Sequence, residues 1–504
     1  MAQVHLIVFV HGLWGNISHM DYLSNAIVAR SNNSKETLAV YSAKMNQGYR
    51  TYDGIDICGF RVASEIEEQI LIINSSKPGT IITKFSIIGY SLGGLIARYA
   101  IGLLYSKQVF KKYEIRLLNF TTFCSPHAGV YAPGSNIAVK LFNAICPVTM
   151  GSSGKQMFLK DKVTAADDIS LIYLMSLEDS IFYKALASFK YRSLYANVIN
   201  DKRTAWWTSG ISLNDPFFDV NEFNGVDRFH YVPGYEPVVI DNTKAINIAS
   251  ISELLDIELP TSFEQAEPDP QEYYFINYWV DKLVCWATVL VNLLIIAPIW
   301  VIWFILSGLV QTANSTIRVT KFVNNYSHQL VNDYFDADHE ITGCSTSQLN
   351  EADSDEYYSV LIPHNEYEYQ IERSLQDKTD TLIESVFEAI ERRNTLTGAT
   401  QGVPPTKATS FSITIQDLES MRIGDIETKN EKQRELLQNF HLGIDQRQAE
   451  IITALNKLSW KKFPIYIRAT PNTHACAIAR YKDPKFKEGE VVINHWCDEV
   501  FQFD

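Results

Sequence analysis

The chain has 504 residues, 46% of them hydrophobic and 20% charged, with a net charge of −14. This ordinary globular composition leaves room for one large α/β domain with insertions or for two domains, and its acidity argues against a nucleic-acid partner and against recruitment to anionic lipid by charge alone. The seven cysteines, Cys58, Cys124, Cys146, Cys285, Cys344, Cys476 and Cys497, have neither metal nor redox spacing, which suits a reducing compartment better than a disulfide framework.

Val4 to Val10 is a β-branched run, read as a first strand rather than a secretory leader, and it meets a turn at His11-Gly12-Leu13-Trp14-Gly15. Between residues 55 and 74, Val62, Ile66, Ile70 and Ile73 fall on one helical face, which ends before Lys77-Pro78-Gly79. The apolar run Phe85 to Ile88 then enters Gly89-Tyr90-Ser91-Leu92-Gly93-Gly94, and Leu95 to Ala100 continues as an amphipathic helix. A G-x-S-x-G between strand and helix puts the serine on a tight turn where a base can reach its hydroxyl, so Ser91 is the candidate nucleophile. Backbone N–H groups of Leu13, beyond the first strand, and of Leu92, just after the serine, are then the candidate oxyanion donors. His11 comes too early to be the base in a Ser, acid, His order and is expected to shape its turn.

Leu117 to Phe123 reads as the next strand and leads into Ser125-Pro126-His127-Ala128-Gly129, where His127 is expected at the pocket rim rather than as the base. Residues 130–190 show only short helical patterns, expected to form a cap over the site. Arg192 to Ile199 is a strand followed by Asn200-Asp201, and Asp201 is the candidate acid, with Asp215, Asp219 and Asp241 as weaker rivals.

Leu283 to Val310 contains no charged residue. It is long enough to cross a bilayer, which takes ~20 apolar residues. A single crossing would, however, divide the candidate triad between two compartments. A hairpin or steeply tilted anchor that enters and leaves on one side is therefore expected, with a bend at Pro298. Residues 311–445 read as acidic, largely flexible linker. Phe463 to Arg468 reads as a late strand, and the loop after it offers His474 as the base, with His495 as its competitor.

The stretches Val8 to Gly15, Gly89 to Gly94, Ser125 to Gly129, Asn197 to Thr204 and Thr473-His474-Ala475 together resemble the fungal branch of the DUF676 serine esterase family of α/β-hydrolases. The resemblance implies an α/β-hydrolase fold, with a mostly parallel sheet covered on both faces. It also implies hydrolysis of glycerophospholipid acyl esters at a droplet surface, with neither metal nor cofactor. The expected organisation is a hydrolase core over 1–245 with its cap at about 130–190, a connection over 246–282, an anchor over 283–310, the linker over 311–445, and the rest of the core over 446–504. The expected partners are a phospholipid or neutral-lipid substrate and the droplet monolayer or membrane met by 283–310, at the lipid droplet or the cytosolic face of the endoplasmic reticulum, with protein partners left open. Phospholipid against neutral lipid is not readable from the residues, and a non-catalytic membrane adaptor on the same fold stays open.

Overall fold

The computed structural model describes residues 2–31, 37–76, 79–132, 137–163, 169–201, 203–217, 220–247, 297–326, 412–420 and 442–503. Its centre is a six-stranded sheet of β1 (Ala2–Val10), β2 (Thr37–Ser42), β3 (Thr80–Tyr90), β4 (Arg116–Phe123), β5 (Tyr191–Asn197) and β8 (Lys461–Ile465), in the order β2-β1-β3-β4-β5-β8. Every neighbouring pair is parallel. A separate two-stranded pair joins β6 (Ala245–Asn247) to β7 (Ser412–Thr414).

β1 shows why the sheet is covered on both faces. Val4, Leu6, Val8 and Val10 point into one core, and Ile7 and Phe9 into the other. An apolar run without polar alternation is what a strand buried on two sides requires. The first core takes α2 (Ile55–Ser76), α3 (Leu92–Ser106) and α6 (Ile181–Ala187). The second takes α1 (Asp21–Ser31), α9 (Lys487–His495) and the C-terminal residues through Phe501. Of the expected face of α2, Val62, Ile66 and Ile70 are buried and Ile73 is partly so.

The last strand comes from far along the chain. β8 lies against β5, and its outer side is met by Val239 in an antiparallel bridge at Ile465. Pro464 is tolerated because β8 is the last strand of the sheet. α8 (Gln446–Leu455) precedes β8, opened by a capping box in which Asp445 and Gln448 satisfy each other's backbone donors.

The region expected as a cap divides. α6 belongs to the core, since Phe182 stacks on Tyr99 of α3 with ring centroids 4.8 Å apart. α4 (Ile137–Thr149) and α5 (Gly151–Met157) instead form an outer layer with α7 (Ala297–Tyr326).

α7 corrects the expectation at the apolar segment. Its residues run as one helix from Ala297 through Tyr326, so the boundary expected at 310 falls inside an element and residues 311–326 are not linker. Pro298 stands in the first described turn of α7. Residues 283–296, the other arm of the expected hairpin, lie outside the described residues, as do 327–411. Among the described residues no helix is long and apolar enough to cross a membrane.

Candidate active site

The loops after β1 and β3 leave neighbouring strands at the point where the chain order reverses, since β2 lies on one side of β1 and β3 on the other. Crevices at such switch points are where open α/β sheets place their ligands. Four of the non-glycine residues with positive φ, Trp14, Ser91, Cys124 and Asn200 at 52°, 54°, 47° and 57°, lie in the loops that follow β1, β3, β4 and β5. Strain of this kind persists only where the surroundings impose it, and it gathers at functional sites.

Ser91 has φ 54° and ψ −128°, and its N–H donates to Phe123 O at 2.9 Å. The turn is possible because Gly93 has no side chain. A Cβ there would stand 2.2 Å from Val10 O, a backbone atom with nowhere to go. Gly12 touches the same serine from the other loop, since a Cβ on it would lie 2.7 Å from Ser91 Cβ and 3.2 Å from Oγ. Leu92 opens α3, so its N–H is one of the donors a helix leaves without an internal partner. Leu13 sits in a turn closed by the Gly15 N–H on Gly12 O at 3.0 Å. The turn is braced from outside: Trp14 N–H donates to Thr51 Oγ1 at 3.1 Å and Gly48 N–H to Gly15 O at 2.9 Å.

Asp201 and His474 meet. Nδ1 of His474 lies 2.9 Å from Oδ2 and 3.1 Å from Oδ1 of the aspartate, and both side chains are buried. The acid is set by its own turn, with N–H groups of Arg203 and Thr204 donating to Oδ1 at 3.1 and 2.9 Å. Oδ2 also receives Nδ2 of Asn197 at 2.9 Å and the Thr204 hydroxyl at 3.1 Å. Burial alone would raise this carboxyl, but the charge and hydrogen bond of His474, with those of Asn197 and the Thr204 N–H, outweigh it and hold the group down at about 2. The base is carried on a short helix, Thr473–Cys476, capped by Asn472 Oδ1 receiving the Ala475 N–H. Its register against the acid loop is fixed by the Thr473 hydroxyl on Ile199 O at 3.2 Å, and Tyr90 OH donates to His474 O at 3.1 Å. Nε2 of His474 is buried and has no hydrogen-bond partner among the described residues.

The competitors go elsewhere. His127 is buried with Nε2 on Thr122 Oγ1 at 2.9 Å, and burial holds its imidazole well below the usual range, with Arg98 and Lys462 adding to the effect. His495 pairs with Tyr195 OH at 2.7 Å and is pushed down to about 4, chiefly by burial. His11 turns Nδ1 to Gly12 O at 3.1 Å, and burial likewise brings it to about 4. Asp215 and Asp241 cap their own turns, at Phe217 N–H and Thr243 N–H. Asp219 lies outside the described residues.

Sequence reasoning missed Asn197, Thr204 and Tyr90 as neighbours of the pair. Only Thr204 left a trace, as the third residue after an aspartate in turn-forming sequence. Cys124 was also missed: its Sγ, an Asp201 oxygen and a His474 nitrogen lie within 4.8 Å of one another. Burial, with Asp201 nearby, raises this thiol well above its usual range and keeps it protonated, which is poor preparation for a metal.

Residues 1–212 match the family described as Putative serine esterase (DUF676). Putative lipase YDL109C of Saccharomyces cerevisiae is 32% identical over 237 residues, which are 47% of this chain and 34% of the relative. Putative lipase C4A8.10 of Schizosaccharomyces pombe is 26% identical over 247 residues, 48% of this chain and 31% of the relative. The chain thus spans about a third of the length of these curated relatives. Among solved structures, phospholipase PlaB from Legionella pneumophila in complex with thio-NAD is similar over 41% of this chain and 42% of its own, at 13% identity and a TM-score of 0.25.

Proposed function

We propose that the chain is a serine lipid hydrolase that cleaves fatty-acyl esters of glycerophospholipids at a lipid-droplet or membrane surface. The observation that carries this reading is the His474 imidazole, paired through Nδ1 with Asp201 at 2.9 Å while no hydrogen bond among the described residues takes up Nε2. Ser91 gives its proton to Nε2 as Oγ attacks the ester carbonyl, and the N–H groups of Leu13 and Leu92 receive the oxyanion. Asp201 holds the imidazole in the needed tautomer and stabilises the imidazolium that forms. That proton passes to the departing alkoxide, which leaves the acyl group on Ser91. Water then gives a proton to Nε2 and attacks the acyl carbon. The fatty acid departs, and the proton returns to Ser91. No step calls for a metal or a cofactor.

The lipid part of the reading is supported by the uncharged run Leu283–Val310, which also motivates a one-sided, monotopic attachment at the droplet or the cytosolic face of the endoplasmic reticulum. The relatives named as lipases favour a second reading, in which the same triad acts on triacylglycerol or sterol esters. The test is fatty-acid release from phospholipid and from triacylglycerol in artificial droplets, by the chain and by its Ser91→Ala variant. Phospholipid turnover lost in the variant supports the proposal. Turnover confined to triacylglycerol replaces phospholipase with lipase, and an unreactive parent chain moves the reading to a membrane adaptor.

A further inference from the structure

α4 and α7 lie side by side and leave large apolar side chains in water. Ile137 is 85% exposed, Leu141 57%, Val148 50%, Ile302 58%, Leu306 57% and Val310 58%. Exposed apolar side chains gathered on two neighbouring helices mark a contact surface. Charge is almost absent from it: α4 carries Lys140 alone, and α7 carries no charged residue before Arg318.

The patch is rigid rather than a loose flap. Thr312 Oγ1 donates to Val148 O at 3.2 Å and receives the Gly151 N–H at 3.1 Å, which ties α7 to the junction of α4 and α5. Gly308 lets the helices approach, because a Cβ there would stand 2.9 Å from Thr149 O. Further along, Ser315 and Arg318 fix α7 to the buried Asp53.

We propose that this composite face of α4 and α7 is a lipid-contact surface, with both helices lying in the plane of a lipid layer. The occupant is indicated by the sequence that precedes α7: Leu283–Ile296 is uncharged and predominantly apolar. A fluid hydrocarbon layer takes such a run together with the face, and asks for none of the hydrogen bonds that protein interfaces use. The net charge of −14 selects a layer with little anionic lipid. The proposal rests on the lipid-hydrolase reading only for its consequence, that the site is held at its substrate.

The experiment is flotation of the full chain with phosphatidylcholine-coated triolein droplets, beside hydrolysis of a soluble short-chain ester. Leu141→Asp and Leu306→Asp should each lower the bound fraction at least fivefold, with soluble-ester turnover within twofold of the parent. Leu71→Asp, at an apolar side chain on α2 that is equally exposed (56%), should bind as the parent does. Parental binding by Leu141→Asp would overturn the proposal, because attachment would then reside in the apolar run alone. Self-association abolished by Leu306→Asp would also overturn it, by assigning the face to a second copy of the chain. Intact droplet binding without any ester hydrolysis would strike the hydrolase reading and leave this surface standing.

Discussion

Arg318 and Asp53, 265 residues apart in the chain, are joined by an ion pair of 2.7 Å. Asp53 is completely buried and also takes Arg61 at 2.7 Å and the Ser315 hydroxyl at 2.7 Å. Arg318 reaches Tyr49 O as well, at 3.1 Å. These contacts clamp the helical turn Gly48–Tyr52, the one that braces the Leu13 loop through Thr51 and Gly48. The helix that continues the uncharged run is therefore mechanically continuous with a candidate oxyanion donor.

That continuity predicts a split between two substitutions. Asp53→Asn removes the buried carboxylate that pairs with Arg61 and should cost about 3–5 kcal/mol, read as a large drop in thermal midpoint. Arg318 is about a third exposed, so Arg318→Met should cost only about 1 kcal/mol of stability. Its effect should fall on kcat for a soluble ester, lowered about three- to tenfold at unchanged KM, with Arg318→Lys recovering part of it. A KM change alone would show that the turn does not position the donor.

The acid's setting predicts a graded series. Asp201→Asn keeps the shape of the site but offers His474 the wrong hydrogen-bond partner, and should lower kcat by about 10⁴-fold. Thr204→Val removes one hydroxyl from Oδ2 and keeps the backbone donor on Oδ1, so about 1 kcal/mol and a several-fold loss of kcat are expected. Single-turnover kinetics on the same soluble ester separate these effects from product release.

Both results concern residues of unequal visibility in the sequence. The β1 and β3 runs, the glycines around Ser91 and the late strand before His474 were legible, because burial on two faces and a crowded turn each demand a recognisable residue type. The Asp201–His474 pairing was legible only as chain order and loop position. Arg318 was not, since Gln311 to Ile317 has the composition of a linker. α7 persists there because Ser315 and Arg318 find Asp53 and because Phe322 packs edge-on against Phe60 at 5.2 Å. Such partners are set by the tertiary fold, which propensity does not carry.

The turn itself offers a steric test. Gly93→Ala forces a Cβ against the carbonyls of Val10 and His11, which belong to the end of β1 and the turn after it. Neither can retreat without moving the Leu13 turn, so activity on a soluble ester should fall by at least 10²-fold. Circular dichroism should still report a folded chain, with a thermal midpoint lowered by the equivalent of about 1–3 kcal/mol.

Glu65 carries the pH prediction. It is buried on α2, and its Oε1 receives N–H groups of Lys44 and Met45 and the Tyr41 hydroxyl, while Oε2 has no partner among the described residues. Burial pushes this carboxyl up from 4.5 to about 7, against the hydrogen bonds that lower it. Protonation is thus favoured by folding. The stability the protonated group contributes is fully present below pH 4.5 and is lost as the pH rises through about 7. Gln keeps the accepting oxygen and cannot ionise. Glu65→Gln should therefore match the parent in denaturant midpoint near pH 4.5 and exceed it by about 2–3 kcal/mol at pH 8. An equal offset at both pH values would mean that Glu65 titrates alike in the folded and unfolded chains, and would assign the gain to packing.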